Sequence, residues 1–305
     1  MTLSFYIIAG PTAIGKSNFA IDLAKKINGN IINADSMQVY KDLEILTARP
    51  SNQDTKIIDH HLYGYVRANE RYNVEKWCND ARDKIIESQK NNVVPILVGG
   101  TGLYIDKLIN GISDIPQIPE YLKLDSENLI KKKGLNYLCS LIKEFDSISL
   151  SKINPNDSIR LKRIWEVYTH TGKALSEWNE SEPKLFLKDI KYKLILFLPD
   201  RIKNYQKVNM RFISMLEKGA IDEVKNLLNL NLNISLPIMR AHGVPEIIQL
   251  LEKKIDEESC IEKGQQVTRN YVKRQHTWWR ASKLQIFKQF TQFPEEIDIN
   301  AIKFI

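Results

Sequence analysis

Apolar and polar positions follow two periods along this chain, and the places where one period gives way to the other mark its architecture. Phe5–Ala9 (FYIIA) is a short unbroken apolar run, with the length and the aromatic and β-branched content of a strand buried on both faces. It gives way to Phe19, Ala20, Leu23, Ala24 and Ile27, spaced at three and four, which predicts an amphipathic helix. The pair recurs. Asn30–Ala34 (NIINA) predicts a second strand ending at Asp35, and Val93–Val98 a third ending in Gly99-Gly100-Thr101-Gly102-Leu103-Tyr104. Residues 72–90, with Val74, Trp77, Ala81, Ile85 and Ile86 on one face, predict the crossing helix between them. Lys193–Leu198 (KLILFL) predicts a fourth strand, and 201–230 one or two helices. Strands alternating with helices predict an α/β fold around a parallel sheet. Its carboxyl edge, where ligands of such sheets bind, would then carry Asp35 and the Gly99–Tyr104 turn beside the first loop.

From about residue 113 to 189 the strand period disappears. Ile115-Pro116-Gln117-Ile118-Pro119 breaks the chain, and only helical patterns follow. An all-helical insertion over 113–189 therefore divides the core into 1–112 and 190–305. One insertion helix opens after Asn154-Pro155-Asn156-Asp157, where Asn156 or Asp157 can cap it, and carries Arg160, Lys162 and Arg163 near its start.

Composition adds direction. A chain of 305 residues that is 43% hydrophobic and 27% charged builds a soluble globular core. The first apolar run is too short for a leader or a membrane span, and the three cysteines, widely spaced, form neither a disulfide framework nor a zinc set, so a reduced, cytoplasmic protein is expected. The net charge is +7. Between Lys263 and Lys288 there are seven Lys or Arg and no Asp or Glu. Arg269, Lys273, His276, Arg280 and Lys283 fall on one helical stripe, and Val267, Tyr271 and Trp278 on another. Such a helix would rest on a core while facing a polyanion. Trp278 and Trp279 read as packing residues and His276 as a surface or interface residue.

Gly10-Pro11-Thr12-Ala13-Ile14-Gly15-Lys16-Ser17 fits G-x-x-x-x-G-K-S between the first strand and its helix. A glycine-bracketed turn there wraps backbone N–H groups around phosphate oxygens at the positive end of a helix. Lys16 adds a point charge, and Ser17 offers a hydroxyl to Mg2+. Asp35, at the neighbouring strand end, is placed to accept a proton from an incoming nucleophile. The loop and the aspartate together suit either a kinase of a nucleotide or small metabolite or a group transfer to an amine. An RNA-binding protein with a relic loop is a third reading.

Further residues favour the second. In order along the chain, GPTAIGKS (10–17), DSMQVY (35–40), GGTGLY (99–104), NPNDSIRLKRIWEVY (154–168) and YVKRQHTWWR (271–280) resemble the tRNA dimethylallyltransferase, or tRNA isopentenyltransferase, family. His60-His61-Leu62 and GKALSEW (172–178) agree, and the likeness runs from residue 4 to about 290. It implies a P-loop NTPase-like fold with a helical insertion. It also implies transfer of a dimethylallyl group from dimethylallyl diphosphate to the N6 amine of the adenosine 3′ of the anticodon, with Mg2+ assisting, by a monomer. Position by position, Asp35 would orient the amine and take its proton, and Thr101 would bond both amine and diphosphate. Gly10 to Ser17 would hold the diphosphate, with Arg201 and Lys207 adding charge. Asp35, Ser36, Met37, Gln38, Thr101, Lys123, Ile159, Arg160, Leu161, Lys162 and Arg163 would touch the tRNA anticodon stem-loop. The chain departs from the family pattern at Lys207, where arginine is usual, at Ile14, and at Leu46, where glycine is usual.

Overall fold

A computed structural model describes residues 3–302 and divides the chain into two compact units, residues 1–109 with 186–305 and residues 110–185. The first unit begins with β1 (Leu3–Ala9), α1 (Lys16–Ile27), β2 (Gly29–Asn33), α2 (Asn52–Ile57), β3 (His60–His61), α3 (Val74–Lys90), β4 (Val94–Gly99) and α4 (Gly102–Asn110). The helical unit contains α5 (Glu120–Lys133), α6 (Leu135–Phe145), α7 (Ser147–Ser151), α8 (Ser158–Thr171) and α9 (Leu175–Glu180). The chain then returns through β5 (Ile190–Phe197), α10 (Arg201–Glu217), α11 (Ala220–Asn229), α12 (Val244–Leu251), α13 (Glu257–Ala281) and β6 (Ile286–Phe290).

The six strands form one parallel sheet in the order β3-β2-β4-β1-β5-β6. β1 runs between β4 and β5, with Ile7 and Ile8 fully buried, as its unbroken apolar run requires. The order also decides where the loops meet. Ala9 is level with Gly99 and Asn33 with Val98, so the carboxyl ends of β1, β4 and β2 lie side by side. α1 covers one face of the sheet through Phe19, Ala20, Leu23 and Ala24, Phe19 meeting Phe197 edge-on at 5.0 Å between ring centroids. Trp77 of α3 is fully buried, and its Nε1–H donates to the Asn33 carbonyl at 2.8 Å, tying α3 to the end of β2.

The cationic stripe of the last long helix does not hold. His276 is 1% exposed, packed with Val272, Gln275 and Trp279 on the buried side of α13, and α13 ends at Ala281, before Lys283. Residues 286–290 are not helical either. Ile286 pairs with Leu194 and Phe290 with Phe197, making an edge strand whose Phe290 stacks on Phe197 at 5.3 Å. Its apolar residues, Ile286, Phe287 and Phe290, are few and do not alternate with polar ones, so no strand period marks it in the sequence. Trp279 is buried, as a packing residue should be.

In the helical unit, Leu138, Ile142, Leu161 and Ile164 form the centre of the α6–α8 packing. Asp157 caps α8 by accepting from the Arg160 N–H at 3.1 Å. The buried Glu166 accepts from the Ser126 hydroxyl at 2.6 Å, which satisfies a charge that apolar surroundings would otherwise penalise.

Candidate active site

Two adjoining cavities open at the carboxyl edge of the sheet, both within the first unit. The polar one, about 220 Å³, is lined by Thr12 to Asn18, Asp35, Gln38, the Gly99-Gly100 turn, Arg211 and Gln275. The other, about 130 Å³, is mostly apolar, with Leu46, Val208, Phe212, Met215 and Ala241 in its wall. Thr12, Ala13, Asp35, Thr47 and Arg211 line both.

The loop between β1 and α1 turns through left-handed backbone at Ala13 (φ 61°) and Gly15 (φ 96°), and α1 starts immediately after. Such alternation turns successive N–H groups toward one concavity, the geometry of an anion cradle. Lys16 is folded back, its Nζ donating to the Pro11 carbonyl at 2.6 Å. Burial pushes the Lys16 ammonium down to about 7, against the attraction of Asp35 and with help from Arg211. A lysine held half-charged in this way is ready to be recharged by an arriving anion.

Asp35 follows β2 directly. Its Oδ1 accepts from the Met37 N–H at 2.9 Å and the Gln38 N–H at 3.4 Å, and its own N–H donates to Asn33 Oδ1 at 2.8 Å. The carboxylate is thus fixed by its own turn. Across from it, Thr101 Oγ1 accepts from the Ser36 N–H at 3.1 Å. This approach dictates the first glycine of the GGTG turn: a Cβ on Gly99 would stand 2.1 Å from the Ala34 carbonyl oxygen. Gln275 of α13 joins the remaining edges, since its Oε1 accepts from the Thr12 N–H at 2.9 Å and its Nε2 donates to the Gly100 carbonyl at 3.0 Å. Both partners leave the amide one orientation. Tyr271, one turn earlier, lies beside Thr101 and Gln275, and burial raises its phenol. His242 beside it is pushed down to about 4 by burial and by Arg274, so its imidazole is neutral.

Of the residues expected from sequence, the loop 10–17, Asp35 to Gln38 and Thr101 come together at this edge. Arg201 and Lys207 do not line either cavity. Arg201 is exposed in the first turn of α10, its guanidinium 5.8 Å over the Tyr205 ring, and Lys207 pairs with Glu295 and lies 4.0 Å over the Phe293 ring. The cation that reaches the site is Arg211, missed in the sequence. Burial lowers its guanidinium and Asp35 opposes the shift. A signal was available: Val208, Arg211, Phe212 and Met215 share one helical face, and an arginine in an apolar stripe needs an anion. Gln275 and Tyr271 carried no such mark.

In the helical unit Leu161 is fully buried, which removes its side chain from any surface role. Ile159 is 65% exposed at the start of α8, with Arg160 and Arg163 exposed nearby. Lys162 pairs with Glu127 at 3.0 Å and Lys123 with Glu120 at 2.8 Å.

Among the described residues no cluster of His, Cys, Asp and Glu could hold a metal on its own. Ser17, exposed in the first turn of α1, suits a Mg2+ ion that takes its other ligands from substrate phosphates and water.

Comparison with known proteins bears on this geometry. The sequence pattern of the IPP transferase family matches residues 38–282, and that of isopentenyl transferases residues 3–63. The tRNA dimethylallyltransferase of Ehrlichia ruminantium is 42% identical over 274 residues, 90% of each chain, and that of Wolbachia pipientis wMel is 43% identical over 282 residues, 92% of this chain and 93% of the other. Among solved structures, the full-length tRNA isopentenylpyrophosphate transferase of Bacillus halodurans is 28% identical with a TM-score of 0.69, covering 98% of this chain and 92% of that one. A eukaryotic dimethylallyltransferase acting on tRNA is 30% identical with a TM-score of 0.73, over 90% of this chain and 69% of that one. With the pattern spanning most of its length and such relatives end to end, the chain belongs to the tRNA dimethylallyltransferase (IPP transferase) family.

Proposed function

We propose that this protein transfers a dimethylallyl group from dimethylallyl diphosphate to the exocyclic N6 amine of the adenosine 3′ of the anticodon in tRNA, releasing pyrophosphate and working as a cytoplasmic monomer. One observation carries the reading: a single carboxylate, Asp35, stands where a polar cavity lined by the loop of residues 12–18 meets an apolar one. The loop amides of residues 13–17 with Lys16 and Arg211 would hold the diphosphate. The allylic carbon would then lie beside Asp35 with its hydrocarbon in the apolar cavity. The amine lone pair forms the new C–N bond as the C–O bond breaks, its electron pair leaving on the pyrophosphate, and the amine proton passes to Asp35. Positive charge grows on carbon and negative charge on the leaving oxygen, so fixed cations at the loop lower the barrier. Thr101 would bond both amine and diphosphate, and Mg2+ held at Ser17 would add charge on the leaving group.

A phosphoryl-transfer enzyme would need polar groups for a hydroxyl acceptor where this cavity presents Leu46, Val208, Phe212 and Met215, which favours prenyl transfer over the kinase alternative. The target base must leave its stack to reach Asp35. The exposed start of α8, Ile159, Arg160 and Arg163, with Lys162 and Lys123, would grip the anticodon stem-loop through phosphates and splayed bases. The test is mass spectrometry of an anticodon stem-loop incubated with the protein, dimethylallyl diphosphate and Mg2+. A gain of one C5H8 unit on the adenosine is expected; ATP-dependent phosphorylation with no such gain would refute the reading.

A further inference from the structure

The apolar cavity is bounded by one face of α10. Val208, Arg211, Phe212 and Met215 recur at intervals that stack them along one side of the helix, and Leu46 lines the cavity from the loop after β2. Arg211 also lines the phosphate cavity, so it marks the end where a diphosphate would sit. Met215 lies four residues beyond, about 6 Å further along the helix axis. A chain leaving the diphosphate at its first carbon would run along this face toward Phe212 and Met215.

The far wall cannot retreat. Phe212 is 3% exposed and pressed against Gly264 of α13, where a Cβ would stand 2.1 Å from the ring's Cζ. Leu46 is held through its backbone: the Glu223 carboxylate accepts from the N–H groups of Glu44, Ile45 and Leu46, the last two at 2.8 and 3.0 Å. On its other side Leu46 meets Gly243, where a Cβ would come within 2.7 Å of Cδ2. Held on both sides, Leu46 and Phe212 make a stiff stretch of wall, and a close-packed wall resists overfilling by about 1–3 kcal/mol for a few extra methylenes. The volume of the cavity is about 130 Å³. An apolar cavity of about 150 Å³ accepts a six-carbon guest the size of benzene. That is room for one branched five-carbon unit, and a longer chain running along this face meets Phe212.

We infer that Leu46, Phe212 and Met215 form a length gauge that restricts the transferred group to a single five-carbon unit, with Phe212 as its fixed stop. The inference rests on the reading that the diphosphate occupies the loop of residues 10–17. It makes these three side chains determinants of substrate length, distinct from the groups that hold phosphate or move protons.

The experiment supplies the full-length enzyme and an anticodon stem-loop with dimethylallyl or geranyl diphosphate, and reads kcat/KM for each from the mass of the modified adenosine. The wild-type protein should add C5H8 and discriminate against the C10H16 donor by at least about a hundredfold, since each surplus methylene in a tight pocket is worth roughly tenfold or more. Met215→Ala and Leu46→Ala should each shift the ratio toward the longer donor by at least about tenfold. Phe212→Leu, which keeps an apolar side chain against Gly264, should shift it further. Unchanged ratios in all folded variants, or equal use of both donors by the wild type, would overturn the gauge. Failure of the wild type to transfer the five-carbon group would instead refute the transferase reading and remove the gauge with it.

Discussion

The two cavities share Asp35 and Arg211 but are built by opposite means. The polar cavity is framed by tight backbone turns, the loop of residues 12–17 and the Gly99-Gly100 turn, and by one side-chain amide, Gln275, bonded to backbone on both sides. The apolar cavity is made of side chains on an ordinary amphipathic helix and a loop. Backbone geometry tolerates few residue types, so the first cavity leaves a signature at fixed spacing. A wall of side chains tolerates many, so the second is free to change size without disturbing the chemistry next to it.

The strongest test of that division is at the shared carboxylate. Asp35→Ala should lower kcat by about 10²- to 10⁴-fold, the range of a lost general base. Pyrophosphate affinity should change less than about tenfold, because the loop amides and Lys16 remain. Asp35→Asn separates chemistry from scaffolding: its amide oxygen still accepts from Met37 and Gln38, yet it cannot take a proton. Equal turnover by wild type and Asp35→Asn would show that the carboxylate only shapes the turn.

The same division explains which parts were legible in the sequence. The sheet, the loop, Asp35 and the GGTG turn were readable because each depends on a local pattern: an unbroken apolar run, or a glycine where two backbones touch. Arg211 was readable in principle from its place in an apolar stripe. Gln275 was not, since a glutamine among cations looks like surface, and its burial depends on α13 crossing the edges of β1 and β4. Lys207 misled for a related reason. Its partner Glu295 lies 88 residues away, and no local pattern foretells that pairing. β6 escaped because the charges around it outweighed three apolar residues.

A smaller effect tests the backbone-built half directly. Gly99→Ala would drive a Cβ to 2.1 Å from the Ala34 carbonyl oxygen, a contact that no rotamer relieves. The β2–β4 edge must spread, with a loss of stability of about 2 kcal/mol or more, typical of forced overpacking. Urea midpoints at constant m-value measure it, and pyrophosphate affinity should fall in the same variant, because the edge that spreads carries Asp35 and Thr101. A folded variant with unaltered midpoint and affinity would mean the turn is more pliable than its contacts imply.

The last and smallest effect is on pH. Burial holds the Lys16 ammonium at about 7, so its charged fraction falls as the pH rises through that value. A bound diphosphate favours the ammonium and raises its pKa again, so binding above pH 7 takes up a proton and weakens by up to about tenfold per pH unit. Calorimetry of pyrophosphate binding at pH 8, in buffers of different ionisation enthalpy, reads the uptake directly. Lys16→Arg serves as the reference, since its guanidinium stays charged and leaves only the titration of pyrophosphate itself. Identical proton uptake in the two proteins would remove Lys16 as the titrating group. Leu46, Phe212 and Met215 carry no ionisable group, so the preference for a five-carbon over a ten-carbon donor should stay flat over the same pH range in which diphosphate affinity falls.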